Sequence, residues 1–479
     1  MRGVMDRDRF RALLDAHWDR VAREWVVRRG LGGDYRRRLA QVYRFCVPPA
    51  QRVLELGCGR GDLLAALQPC HGVGLDLSAE MLRQARQRHP EMLFVRGDAE
   101  ELPLGTIFDV VVLSDLLNDL WDVQGLLEAV KQVTTPRTRL IINTRSRVWE
   151  LPLRLAQRLG LAHPLPAQNW LTVADIKVLL GLAGFEVVRH WGELLVPVRI
   201  PVLGRLANRV LARLWPFNFL CFTNFIVARP VGPTRGPQGG QPTVSVVIPA
   251  RNEEGNIASV VDRVPEMGGG TEIVFVEGHS TDDTWGAIGR AIASAPDRQC
   301  TTLRQSGVGK GDAVRAGFER ARGDILMILD ADLTVSPGDL PRFFAAIVGN
   351  KGELINGVRL VYPLADRAMR FSNLVANRLF SVAFSWLIGQ PVKDTLCGTK
   401  VLWREDYRRI ASQRSYFGEL DPFGDFDLLF GAAKLNLRIV DLPIRYHQRT
   451  YGVTNIARWK DGWRLIKMVA LAAVRLKFV

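Results

Sequence analysis

Short apolar runs alternate with longer stretches of helical period along most of this chain. VLEL, GVGLDL, LFVRGD, FDVVVLSDL, TRLIINT and FEVVRH punctuate residues 53–190, and SVVIPA, EIVFVE, TTLRQ and ILMILDAD repeat the rhythm from residue 245. Strands that read as near-continuous apolar runs are those covered on both faces. The pattern therefore predicts an α/β chain with parallel sheets flanked by helices. The rhythm stops at RPVGPTRGPQGGQPT, residues 229–243, where prolines and glycines crowd and no apolar period survives. This predicts a first domain over 1–230, a linker over 231–242 and a second domain over 243–479.

A length of 479 residues exceeds one ordinary core, and an apolar fraction of 47% suits packed domains and excludes general disorder. Six cysteines without a CxxC pair exclude a disulfide framework and a structural zinc site and imply a reducing compartment. The N-terminus lacks the apolar core of a signal peptide, and no apolar stretch reaches the roughly 18 residues of a membrane span. A cytoplasmic location is expected. The net charge of +15 calls for an anionic partner. Nucleic acid is set aside, because no basic low-complexity tail or zinc-finger spacing accompanies the charge. Basic residues instead alternate with large apolar ones at 202–217, 365–389 and the chain end from Trp459, which predicts peripheral contact with an anionic membrane surface.

Candidate chemistry begins at VLELGCGRGD, residues 53–62. A strand ends at Leu56, and Gly57, Cys58, Gly59, Arg60 and Gly61 form a tight loop where a ligand can approach backbone closely. GxGxG spacing alone leaves the ligand open, because dinucleotide sites also use such turns. Asp76 ends GVGLD, where a carboxylate can accept ribose hydroxyls. Asp98, followed by Ala99 and Glu100, offers an edge for an adenine amino group.

With these features, residues from about 10 to 229 resemble a class I S-adenosylmethionine-dependent methyltransferase. The resemblance implies a Rossmann-like fold and S-adenosylmethionine as cofactor. It implies cofactor contacts at Glu55, Gly57, Cys58, Gly59, Gly61, Asp76, Leu77, Asp98, Ala99 and Ser114, with Asp115 on the acceptor side. It also implies that the N-terminal helices, including HWDRVAREW at 17–25, cover the cofactor. His17, His163 and His190 are further candidates for acceptor chemistry, and Asn118, Asp119, Gln168, Asn169 and Trp170 for the acceptor cavity.

In the second half, Glu253 and Glu254 follow VSVVIPARN and suit the first turn of a helix. ILMILDADLT is sharper: Asp330 and Asp332 follow a strongly apolar strand, where a hard divalent ion bridging phosphates wants oxygen ligands. Two acids buried there without a cation would be costly. With VEGHSTDDT and VGKGDAVRAGF, residues from about 243 to 458 resemble family 2 glycosyltransferases of GT-A fold, and within them the polyprenyl-phosphate sugar transferases. The resemblance implies a nucleotide-diphospho-sugar donor, Mg²⁺ or Mn²⁺ at Asp332 and Asp330, and a lipid phosphate or a glycan or lipid acceptor. Pro249, Glu253, Glu277 and Lys310 fall on the donor side, Arg449 and Thr454 on the acceptor phosphate, and Asp427 with its neighbour Asp425 on the late catalytic acid. Asn455 stands where relatives have lysine, and Glu277-Gly278-His279 where they have Asp-Asp-Gly. Asp282 is expected to order the turn into the next helix. The joint expectation is a bifunctional methyltransferase and inverting glycosyltransferase; the alternative is a glycosyltransferase with a catalytically silent methyltransferase-like scaffold.

Overall fold

The computed structural model describes residues 6–24, 32–159, 168–197, 200, 202–232, 240–362, 371–416, 424–449, 451–452 and 458–478. The chain divides into two compact units, Met1–Gly232 with Phe478–Val479, and Pro233–Lys477. His163, Thr454 and Asn455 lie outside the described residues, as do residues 233–239 of the Pro/Gly-rich stretch.

The first unit is built on β1 (Arg52–Leu56), β2 (His71–Asp76), β3 (Leu93–Arg96), β4 (Val110–Ser114), β5 (Arg139–Arg145), β6 (Phe185–Glu193) and β7 (Thr223–Pro230). Their order is β3-β2-β1-β4-β5-β7-β6, all parallel except β7, which runs antiparallel between β5 and β6. This is the Rossmann-like topology of a class I methyltransferase. Apolar clusters cover both faces: one gathers Leu54, Leu56, Val111, Leu113 and Ile142, the other Val53, Val110, Val112, Ile141 and Phe225. The continuous apolar lettering of these strands is thereby explained.

The second unit holds β8 (Val244–Ala250), β9 (Thr271–Glu277), β10 (Gln299–Arg304), β11 (Ile325–Ile328), β12 (Leu354–Val358), β13 (Lys400–Trp403) and β14 (Ile439–Pro443). The order is β10-β9-β8-β11-β13-β12-β14, with β13 antiparallel to β11 and β12. This is the GT-A arrangement. The sequence pattern does not mark β12, β13 or β14 as strands: they are short, and Asn356 and Lys400 interrupt them while fully buried. Asn356 donates to the Asp394 carbonyl at 3.0 Å and to Asp441 at 2.8 Å, and Lys400 donates to the Cys397 carbonyl at 2.6 Å. Those partners satisfy the donors of both side chains, while Asn356 Oδ1 has no hydrogen-bond partner among the described residues.

Of the segments expected at a membrane surface, the described part of 365–389 is one helix, Phe371–Ile388, and the chain end is a helix, Arg458–Ala472, closed by a π turn. Phe384 and Ile388 of the first and Met468 and Ala472 of the second are buried, while Leu379, Val382, Trp463 and Ile466 are exposed. Among the described residues no helix is long and apolar enough to cross a membrane.

Candidate functional sites

In the first unit, β1 and β2 end side by side and the glycine loop turns over them. Gly57, Gly59 and Gly61 all take positive φ (70°, 52° and 72°), a backbone that side chains disfavour, and a Cβ on Gly59 would stand in open space. Asp76 accepts from the Gly59 amide at 2.8 Å and the Ser78 amide at 2.9 Å, so backbone N–H groups hold its carboxylate at the strand end. Burial raises its pKa against those bonds. Glu55 is buried with one carboxylate oxygen lacking a hydrogen-bond partner, and burial raises it well above the usual range. The open cradle, the amide-held Asp76 and the orphaned Glu55 oxygen fit a polar cofactor in this crevice.

Asp98 lies across the same edge. Its side chain accepts from the Glu100 amide at 2.9 Å and pairs with Arg11 at 2.5 Å and Arg7 at 3.8 Å, both from the helix Arg7–Glu24. That helix reaches β2 as well, where Asp19 accepts from the Ser78 hydroxyl at 2.5 Å. Residues of this helix thus contact both Asp98 after β3 and Ser78 after β2.

After β4, Asp115 adopts φ 55° and receives hydrogen bonds from the Tyr35 hydroxyl at 2.8 Å and from Asn143 at 2.8 Å. Burial raises its pKa, with Arg145 opposing. Tyr35, Asn143 and Arg145 were not singled out in the sequence; Asn143 at the end of TRLIINT is the one letter that signals them. Asn118 and Asn169, candidates for an acceptor cavity, tie their two loops together. The Asn118 side chain donates to the Asn169 carbonyl at 2.7 Å, and the Asn169 side chain to the Leu120 carbonyl at 2.6 Å. Gln168 similarly donates to Asp119 at 2.9 Å. His17 packs beside Trp18, and His190 sits on edge strand β6, two strands from β5.

In the second unit, the two acids after β11 are each held by a cation. Lys310 Nζ meets Asp330 Oδ1 at 2.6 Å, and Arg449 Nη2 donates to Asp332 Oδ2 at 2.7 Å. Thr334 fixes the other Asp332 oxygen through its hydroxyl at 2.8 Å. Arg449 continues to Glu253 at 3.2 Å, so one guanidinium joins the ends of β8 and β11. Burial pushes Glu253 up to about 7, against the pull of Arg449 and an Asn256 hydrogen bond of 2.7 Å. Glu253 precedes the short turn Glu254–Asn256, so its role is this ion contact and not first-turn dipole compensation. Burial works against the Lys310 ammonium, but Asp330 and Asp425 outweigh it and raise its pKa. Asp330 moves down: burial opposes its charge, and Lys310 overcomes that.

Gly398 lies on the Lys310–Asp330 pair so closely that a Cβ there would overlap both side chains. Its loop is anchored by Asp394, which is fully buried and takes a bidentate grip from Arg359 at 2.7 and 2.9 Å, plus Asn377 at 3.0 Å. Burial opposes its charge, yet Arg359 holds it down to about 2. Of the two late acids, Asp425 meets Lys400 at 3.3 Å and its charge reaches Lys310, whereas Asp427 is held by Arg414 at 2.8 Å. Glu277 closes β9 by accepting from the Ser280 amide at 2.6 Å, and in β8 Ala250 lies opposite it with Pro249 opposite Val276. His279, at φ 58°, contacts the Gly307 carbonyl at 3.0 Å, and Asp282 accepts from the Thr284 and Glu254 amides.

Among the described residues no group of three or more His, Cys, Asp or Glu is disposed to hold a metal. Two hard carboxylates suit Mg²⁺ or Mn²⁺, which ordinarily complete their shells with substrate phosphates and water. The donor set therefore fits such an ion.

Comparison with known proteins agrees with both units. Residues 53–137 match the family model described as a methyltransferase domain, and residues 245–410 match glycosyl transferase family 2. A low-salt glycan biosynthesis hexosyltransferase of Haloferax volcanii is 30% identical over 238 residues, 48% of this chain and 54% of that protein. The polyprenol monophosphomannose synthase of Mycolicibacterium smegmatis is 29% identical over 219 residues, 44% of this chain and 80% of that protein. An S-adenosylmethionine-dependent methyltransferase of Mesorhizobium loti, 21% identical, covers 42% of this chain and all of its own, with a TM-score of 0.33. The chain is a fusion of a class I methyltransferase-like domain with a family 2 glycosyltransferase domain of GT-A fold.

Proposed function

We propose that the chain is a bifunctional enzyme, with the two activities divided across the Pro/Gly-rich stretch 231–242. The second unit would move a sugar, with inversion, from a nucleotide-diphospho-sugar to a lipid phosphate or a glycan or lipid acceptor at the cytoplasmic face of a membrane. The observation that carries this reading is the pair of strand-end acids, Asp330 and Asp332, each already matched to a cation. A diphosphate leaving group gathers negative charge as its bond to the sugar breaks, and fixed positive charge stabilises it. Asp332 with Asp330 would hold Mg²⁺ or Mn²⁺, which supplies Lewis acidity to the diphosphate. Lys310 would then face the diphosphate and Arg449 the acceptor phosphate. A lipid phosphate attacks as an anion and needs no base; a hydroxyl acceptor would give its proton to Asp425 or Asp427.

In the first unit, Asp76 would bind the cofactor ribose and the glycine loop its amino-acid end, while S-adenosylmethionine supplies a methyl group activated on sulfonium. Asp115 would take the acceptor's proton where the nucleophile carries one, as its new bond to the methyl group forms and the S–CH₃ bond breaks. One observation favours a second reading, a silent scaffold: Arg11 and Arg7 already engage Asp98, on the side expected for adenine. The test is turnover of nucleotide sugars with a polyprenyl phosphate, together with calorimetric titration of S-adenosylmethionine. Unchanged turnover in Asp332→Ala sinks the metal assignment, and absence of S-adenosylmethionine binding sinks the bifunctional reading.

A further inference from the structure

Among its described residues the first unit carries an apolar face that is largely exposed. The helix Glu150–Arg158 has no buried residue, and Leu151, Leu155 and Leu159, spaced to share one face, are 74%, 58% and 65% exposed. Beside it, the turn that follows the helix Leu203–Arg209 exposes Trp215 (78%) and Phe219 (64%). The two are fastened together, since the Trp149 indole N–H donates to the Leu220 carbonyl at 2.9 Å. A helix in a water-soluble body normally turns its apolar stripe inward, and a contiguous exposed stripe marks an interaction surface.

The charge on this face selects the partner. Segments 147–159 and 202–220 contain a single acid, Glu150, which pairs with Arg154 at 2.8 Å, against six arginines, one of which, Arg213, is buried on Glu193 and takes no part in the face. Arg147, Arg154 and Arg158 are exposed around the leucines. Apolar stripe, flanking arginines and neighbouring aromatic rings together are what an interfacial segment on anionic lipid requires.

The face is also wired to the acceptor side of the crevice. Trp149 packs edge-on to Phe222 at 5.3 Å, Phe222 packs on Tyr35 at 5.4 Å, and the Tyr35 hydroxyl donates to Asp115. We propose that this face docks on an anionic lipid bilayer and that the methyl acceptor of the first unit is carried in that bilayer. The second clause rests on the methyltransferase reading; the first does not.

The experiment uses the full chain with Leu155→Cys labelled by an environment-sensitive fluorophore, in a Cys70→Ser background, with the same reaction on the chain lacking Leu155→Cys as control. Vesicles of phosphatidylcholine with phosphatidylglycerol should shift the emission to the blue and raise it several-fold, and salt should reverse the change. Aqueous emission while the vesicles sediment the chain would assign docking to the second unit and overturn the proposal. A blue shift that follows protein concentration without vesicles would overturn it too, because a second copy then covers the face. For the acceptor, radiolabelled methyl groups should enter the lipid extract. Leu151→Glu/Leu155→Glu should reduce that label several-fold with S-adenosylmethionine affinity unchanged, which separates lost docking from lost folding. Label confined to water-soluble products overturns the acceptor clause. Absence of any methyl transfer with the emission shift intact counts against the methyltransferase reading and leaves the docking surface standing.

Discussion

The two units hold their buried and strand-end acids by different physics. In the first unit Asp76 rests on backbone amides and Asp115 on a phenol and a carboxamide. In the second, Asp330, Asp332 and Asp394 each face a lysine or arginine. Amide-held carboxylates keep their orientation whatever ions are present. Cation-held carboxylates form a charge lattice in which a metal and phosphates can replace one set of partners with another. The first arrangement suits a cofactor read by hydrogen bonds, and the second suits a ligand that brings both signs of charge.

The strongest way to break that contrast is to remove a buried charge from the second unit. Asp394→Asn leaves the Arg359 guanidinium without its counter-ion in a buried setting, which costs about 3–5 kcal/mol. Denaturant unfolding should show this loss for the second unit only. The pH dependence follows from the sign of the shift. Arg359 depresses the Asp394 pKa from 3.8 to about 2, so its contribution is present above the ordinary carboxylate range and disappears as pH falls from about 3.8 through 2. The variant and the natural chain should therefore differ at neutral pH and converge under acid. A constant difference would mean that Asp394 acts through packing, not charge.

Next in size is Asp332→Ala. Loss of a group that organises charge at a leaving diphosphate should lower sugar transfer about 10²–10³-fold, ~2.7–4 kcal/mol, measured as initial rates with a nucleotide sugar. S-adenosylmethionine affinity should not move. The mirror experiment, Asp76→Ala, should weaken S-adenosylmethionine by ~1.5–3 kcal/mol, the range for hydrogen bonds to a charged group, and leave sugar transfer intact. Calorimetry reads the first and rates the second. If either substitution damages both activities, the contrast between independent sites fails.

How far these sites could be read in the sequence follows the same division. Asp76, Asp115, Asp330 and Asp332 were legible, because each follows a run such as GVGLD or ILMILDAD whose apolar letters fix a buried strand, whereas Asp394, in the loop before β13, was not singled out. Their partners were not. Arg449 comes from 117 residues beyond Asp332 and Tyr35 from 80 residues before Asp115, distances over which a single sequence carries no pairing signal. The sheets were legible where strands are covered on both faces. They were not at β12 and β13, where Asn356 and Lys400 depart from the apolar run and their burial depends on contacts a single sequence does not show, such as the Asn356 amide on Asp441 and Lys400 beside Asp425. Asp427 shows the same limit in the candidate site: the resemblance pointed to the residue, but neither its place in the helix Asp425–Lys434 nor its capture by Arg414 was readable.

The smallest effect tests the exception to the contrast, since Asp98 in the first unit is cation-held. Arg11 pairs with it at 2.5 Å with a third of its side chain exposed, a setting in which ion pairs contribute ~0.2–1 kcal/mol. If Asp98 receives the adenine edge, Arg11 competes with the cofactor, and Arg11→Ala should tighten S-adenosylmethionine by at most about fivefold at low salt. The gain should shrink as ionic strength rises, because salt already weakens the competing pair in the natural chain. Looser binding in the variant would instead make Arg11 part of the cofactor's cover, and Asp98 a carboxylate that positions the helix Arg7–Glu24. Titration at two salt concentrations separates these outcomes and decides whether the first crevice, too, contains an acid that exchanges partners.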